Sequence, residues 1–246
     1  MHQRLRCLGI FVAAAGAAAC GLVACGPVHR ETFQDDSALP SGITAVRLEA
    51  GSGDVNVHGT HGNGSAPGGS LHRKVQYSGD KPGATHRVEN GVLVLRGCGE
   101  DCTVNYVVDV PAGVPVSGTA SSGEVSLAEV GAVEVATNSG GIEIDGASGP
   151  VDARTSNGPI SGKGIAGRRI RAQTSNGAID LTPDTPQDVQ ATTSNGDITL
   201  TVPKARYKVT AHTSNGDKHV DVPDDPAGAH ELALKTSNGD ITVKNP

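Results

Sequence analysis

From Ile43 onward, apolar and polar residues alternate with period two, in short runs broken by Gly, Pro, Asn and Asp. Alternation sends successive side chains to opposite faces, so each run predicts a half-buried strand. Up to Pro115 the runs ITAVRLEAGSGDVNV, LHRKVQYSG, HRVENGVLVLRG and CTVNYVVDVP differ from one another. They predict an irregular β region over 43–115, interrupted by a Gly-rich loop, HGTHGNGSAPGG, at 58–69.

Beyond Pro115 the alternation becomes periodic. A corner motif returns with its glycine at Gly123, Gly140, Gly158, Gly177, Gly196, Gly216 and Gly239, a spacing near 19 residues. The later copies read TSNG, with Asn157–Gly158, Asn176–Gly177, Asn195–Gly196, Asn215–Gly216 and Asn238–Gly239 at the turn. The first two, ASSGEV and TNSGGI, are degenerate, as terminal repeats are, and Gly53 in AGSGDVNV resembles a further copy. Two arms flank each corner, such as VQATT before Gly196 and DITL after it. Parity puts Val189, Ala191 and Thr193 on one face and Ile198, Leu200 and Val202 on its continuation. Glu143, Asp152, Arg169, Arg171, Gln190 and Lys235 then point outward.

Two architectures satisfy this parity. In a β-solenoid, two-arm coils of about 19 residues stack at about 4.8 Å and their corners form ladders. In an antiparallel meander or sandwich, each Asn-Gly closes a two-residue hairpin. Recurrence of one corner favours the all-β solenoid over 116–246, continuous with the less regular strands of 43–115. The copy TSNGDKHV places Lys218 where Ile stands in other late copies, so that coil is expected to be offset or open to water.

Composition supports a thin core. Trp is absent, and only Phe33, Tyr77, Tyr106 and Tyr207 are aromatic beyond residue 24. Two close sheets filled by Val, Ile, Leu and Ala need few rings, and few rings also leave little platform for base stacking.

The first residues point to export. Arg4 and Arg6 precede the uncharged Leu8–Ala24 run, which reads as a signal peptide over 1–24. The run ends in Leu22-Val23-Ala24-Cys25, similar to a bacterial lipobox, with Cys25 as the lipidated residue. Residues 25–42 lack an apolar period and read as the lipidated cysteine with a flexible tether. The lipid on Cys25 would then be the membrane contact, since two or more acyl chains anchor stably. Losing Arg4 and Arg6 shifts the formal charge from −6 to −8. An acidic chain without a basic run argues against nucleic-acid partners. Only Cys98 and Cys102 remain, and outside the membrane this pair reads as a local disulfide.

Taken together, the TSNG repeats, the VPAGVPV connector (110–116) and the SGDVNV start resemble a bacterial β-strand-repeat lipoprotein family of unknown function, labelled "putative adhesin". The likeness spans roughly Ile43 to Val243. It implies a β-solenoid-like fold and an envelope location on the outer face of the cell membrane; it implies no activity and transfers no catalytic residue.

Enzymatic chemistry finds little support in the residues. The outward acids Asp180, Asp197, Asp217 and Asp240 recur with the coil, as solvated turn positions do, whereas a catalytic pair would be a local exception. Lys163, Arg168, Arg169 and Arg171 form the basic cluster. Calcium needs six or more oxygens, and one Asp per coil, missing at Pro159 and Ala178, under-supplies them. His58 and His61 lack a third ligand, so neither a metal nor another cofactor is expected. A flat ice-binding Thr ladder is disfavoured because Thr155, Thr174, Thr193, Thr213 and Thr236 share the inward parity. The expectation is a non-catalytic surface module that meets an envelope protein or glycan. An envelope-stress sensor or structural partner is the alternative, with a polysaccharide-acting β-helix enzyme behind it.

Overall fold

A computed structural model describes residues 30–61 and 68–246, and every regular element in them is a β-strand. The expected signal peptide over 1–24 and the lipidation expected at Cys25 lie outside the described residues. The arms of successive repeats pair in parallel and in register. Val133–Ser139 lies between Val116–Ser122 and Val151–Asn157, while Ile142–Ala147 lies between Val125–Val130 and Ile160–Ile165. Identical positions therefore sit one above another, and the fold is the β-solenoid.

The decision between solenoid and hairpins lies in the backbone of the Asn-Gly pair. At the Asn-Gly corners the glycines hold φ values from 144° at Gly239 to 157° at Gly177, and the preceding Asn is not at positive φ. A two-residue hairpin turn of type I′ needs positive φ at both residues. One such hairpin does exist, at Asn90 (φ 50°) and Gly91 (φ 79°), joining the antiparallel strands His86–Glu89 and Val92–Arg96. The same dipeptide thus makes a hairpin once and a solenoid corner elsewhere.

Inward parity holds through the repeats. Val189, Ala191, Ile198, Leu200 and Val202 are buried, as are their equivalents in neighbouring coils. Each such Val, Leu or Ile contributes about 1.5–3 kcal/mol. The rings gather at the ends of the stack. Tyr77 and Tyr106 are buried at the N-terminal end, with Phe33 packed against them, and Tyr207 is buried at the C-terminal end.

Chain order and stack order differ at both ends. The coil of Gly53, Ala45–Ser52 with Val55–Thr60, packs directly on Val116–Ser122 and Val125–Val130. The intervening strands go to its other face, where Val92–Arg96 and Cys102–Pro111 pair with it. At the far end the last strands, His230–Asn238 and Ile241–Lys244, insert between the Gly196 coil and the Gly216 coil. Ile241–Lys244, although last in sequence, is therefore an interior strand. Tyr207–Asn215 and Lys218–Val220 end the stack instead.

This placement accounts for Lys218. It stands in register with Ile241 but on the outermost coil, where it is exposed beside Val220 at 38% exposure. A lysine at an interior rung would be buried without a partner, so the sequence sorts the two near-identical coils by this one side chain. Asp224 and Asp225 blunt part of the new edge: Asp224 Oδ1 accepts the Val209 N–H at 2.9 Å, and Asp225 N–H donates to the Tyr207 carbonyl at 2.8 Å.

The flexible tether expected over 25–42 is corrected. Residues Glu31–Ala38 form a strand antiparallel to Ser70–Tyr77. Its alternation is masked because the inward positions are Phe33, Asp35 and Ser37, of which only Phe33 is apolar.

Two exchanges at the stack end test this order. Ile241→Lys should cost more than about 4 kcal/mol, by burying a charge in an interior rung. Lys218→Ile should leave urea-unfolding stability within about 1 kcal/mol but raise the apparent mass in size-exclusion chromatography, by exposing an apolar edge. Equal destabilisation by both would place the Gly216 coil inside the stack.

Candidate functional site

The repeated corner uses its own chemistry internally. The Oγ1 atoms of Thr155, Thr174, Thr193 and Thr236 each donate to a glycine carbonyl of the adjacent coil at 3.0 Å, and that of Thr213 does so at 2.9 Å. The Asn side chains form an amide ladder: Asn176 donates to Asn157 at 3.0 Å, Asn195 to Asn176 and Asn238 to Asn195 at 2.9 Å, and Asn215 to Asn238 at 3.0 Å. Asn157, Asn176, Asn195, Asn238 and Asn215 thus bind one another, and the glycines between them are packed backbone to backbone. The motif is architecture.

The corner acids also work within the stack. Asp197 Oδ1 accepts the Asp240 N–H, and Asp240 Oδ1 accepts the Asp217 N–H, both at 2.8 Å. Asp180 stands on a strand of the second-arm sheet, so the four acids do not converge. Among the described residues no group of three or more His, Cys, Asp or Glu side chains is placed to hold a metal ion. His58 lies beside Asp109 at 3.4 Å. His61 is exposed at the margin of the loop.

Cys98 and Cys102 form a disulfide with Cα atoms 5.6 Å apart. It pins the entry to Cys102–Pro111, the strand against which Ser70–Tyr77 lies.

A buried polar network that sequence reading missed joins the N-terminal strand to this end. Arg73, 8% exposed, grips Asp35 with Nε at 2.6 Å and Nη2 at 2.7 Å. Its Nη1 donates to Thr85 Oγ1 at 2.9 Å and to the Gly83 carbonyl at 3.2 Å. The Tyr106 hydroxyl donates to the Arg96 carbonyl at 2.7 Å and sits 2.6 Å from Thr85 Oγ1. Phe33 lies between Arg73 and Lys81, whose cationic groups stand 5.4 and 4.3 Å from its ring centre. The Arg73 hydrogen bonds hold the Asp35 carboxyl below the usual carboxylate range. Burial, and then Arg73, depress His86. The strand is thus latched by an ion pair as well as by its ladder.

The basic cluster divides. Lys163 is on the second-arm sheet, paired with Asp145 at 3.2 Å, whereas Arg169 and Arg171 project from the outer face of the first-arm sheet. There they border a groove of about 430 Å³ with Glu134 and Asp152, over a floor that includes Ala132 and Pro150. Glu134, Asp152, Arg171 and Gln190 are consecutive rungs of one register. Yet Asp152 Oδ2 turns to Arg154 at 2.7 Å, and Arg171 Nε to Gln190 at 3.2 Å. Asp152 Oδ1 is buried with no hydrogen-bond partner.

Comparison with known proteins agrees with the architecture. The model of the Toastrack DUF4097 family matches residues 43–244. The chain belongs to this family. The Toastrack chain is also similar to the solved structure of a "putative adhesin" from Bacteroides fragilis, with TM-score 0.52 at 14% identity, covering 88% of this chain and 97% of that one. A "putative cell adhesion protein" from Clostridium sporogenes aligns over 88% of this chain and 100% of its own, at 14% identity and TM-score 0.39. Comparison with curated proteins finds no match. The latch strand Glu31–Ala38 precedes the span matched by the Toastrack model.

The latch yields a prediction with a fixed sign. A depressed Asp35 pKa stabilises docking above the ordinary Asp value of 3.8, and that contribution is lost as pH falls through the lower folded-state value. Asp35→Asn should cost about 2 kcal/mol by leaving Arg73 without its charged acceptor. Hydrogen exchange at neutral pH should accelerate over 31–38 while the repeat arms stay protected. Unchanged exchange over 31–38 would show that the ladder alone holds the strand.

Proposed function

We propose that this Toastrack chain is a non-catalytic, lipid-anchored module on the outer face of the bacterial cell membrane that binds an envelope protein or glycan in an adhesin-like way. The observation that carries this reading is a division of labour. Side chains at the repeated corners are spent on one another, while Glu134, Arg169 and Arg171, which have no ion-pair partner among the described residues, gather on one outer sheet face beside an open groove. The Bacteroides fragilis neighbour, described as a "putative adhesin", accords with such a surface role.

The perturbed groups support the absence of catalysis. Asp35, Arg73, His86 and Tyr106 are shifted within the latch, where Asp35, Arg73 and Tyr106 hydrogen-bond to neighbouring protein groups. Catalytic carboxylates need free space between them for the reacting group. The lipobox-like LVAC sequence supports Cys25 as the anchor. With Glu31–Ala38 docked, only residues 26–30 separate Cys25 from the domain. Their greatest reach is about 20 Å, against about 60 Å for a tether through residue 42. A ligand of this module would then be met close to the bilayer.

Immobilised full-length chain should retain a specific protein or glycan from envelope extracts, and excess free chain should compete it away. Retention should fall at least about tenfold when Arg169 and Arg171 are both changed to Glu. Turnover of an envelope polysaccharide, or no competable retention, would contradict the proposal.

A further inference from the structure

The groove on the first-arm sheet carries a more specific reading, resting on the envelope-binding role proposed above. Glu134 and Asp152 are direct cross-strand neighbours, and like charges in that position destabilise a sheet unless a cation stands between them. Arg169 and Arg171 share one face of the next strand, two residues apart, and repel each other in the same way. The obvious neutralisation, Asp152 with Arg171, is in register but is not made, because each turns to another partner. Arg154 satisfies only one oxygen of Asp152, and the other stays buried and unpartnered. Asp188, the neighbour of Arg169, has its Oδ1 occupied by the Glu231 N–H at 3.0 Å. Among the described residues no carboxylate lies within ion-pair distance of Arg169 or Arg171.

One groove therefore holds an acidic pair beside a basic pair; Arg154 is the counter-charge of Asp152, while Glu134, Arg169 and Arg171 have no ion-pair partner among the described residues. From these placements we infer that it binds a zwitterionic peptide, with an ammonium seated on Glu134 and a carboxylate on Arg169 and Arg171. Strands lie about 4.8 Å apart, so Glu134 and Arg171, two rungs apart, are separated by about 10 Å. An extended peptide advances about 3.3–3.6 Å per residue, so charges about three residues apart span the two pairs. Ala132 and Pro150 also line the groove and bring no charge of their own. Arginine suits the anionic end because its planar fork matches a carboxylate bidentately. Among the described residues the groove has no aromatic lining residue on which a sugar ring could stack.

Triglycine, N-acetyl-triglycine and triglycine amide separate the two charges and serve as probes. By calorimetry on the full chain, triglycine should bind saturably in the millimolar range, and each blocked form at least about tenfold more weakly. Glu134→Gln should remove the penalty of N-acetylation and Arg171→Gln the penalty of the amide, without changing the melting temperature. Equal affinity for all three probes, or no saturable binding up to about 50 mM, would overturn the inference. Envelope retention that survives in the Glu134→Gln/Arg171→Gln chain would also overturn it, while leaving the adhesin-like role standing. A chain that binds triglycine as described yet retains nothing from envelope extracts would contradict only the broader role.

Discussion

The structure depends on a column of glycines at which successive coils touch through their backbones. A Cβ placed on Gly196 would lie 2.1 Å from the Gly177 carbonyl oxygen, and one on Gly177 would lie 2.0 Å from that of Gly158. The contact continues from Gly53 through Gly123, Gly140 and Gly158, and beyond Gly196 through Gly239 to Gly216. Each corner also holds a positive φ that side chains with a Cβ rarely adopt. Close approach lets the Thr hydroxyl reach the neighbouring glycine carbonyl and brings the Asn amides within bonding distance. The parity of both arms, and so the composition of the core, follows from corners that repeat without drift.

A stack held at its corners still has ends to close, and the irregularities of the chain belong to them. Rings too large for the thin interior gather there, Tyr77 and Tyr106 at one end and Tyr207 at the other. Both end coils are threaded out of chain order, so neither the first nor the last repeat in sequence is outermost. At the N-terminal end the latch strand covers Ser70–Tyr77, with Arg73 clamped between Asp35 and Thr85. The other end is covered only in part, by Val222, Asp224 and Asp225, and it keeps Lys218 in water.

The repeats were legible because their signals are local: Thr193, Ile198 and Leu200 declare their faces by parity, and Asn195–Gly196 declares the corner. The likeness of AGSGDVNV to the corner motif also identified Gly53 as a copy, although Gly123 follows it only after an insertion. Stack order was hidden because TSNGDKHV and TSNGDITV fit the same rung, and only the cost of burying Lys218 separates them. The latch was missed because Asp35 occupies an inward position and looks like tether until Arg73, 38 residues away, is seen to meet it. The groove was partly visible as Arg169 and Arg171. Their relation to Glu134 and Asp152, however, arises from register across coils, and Lys163, close in sequence, points from another sheet.

In this account the repeat supplies a rigid ruler, and function is written in the outward residues that break the repetition. That claim stands on the glycine column, so its most direct test is the unfolding free energy of Gly196→Ala beside Gly83→Ala, where a Cβ meets nothing and φ is ordinary. Gly196→Ala should lose at least about 2 kcal/mol in urea unfolding, with Gly83→Ala unchanged. A Gly196→Ala chain as stable as the parent would contradict it.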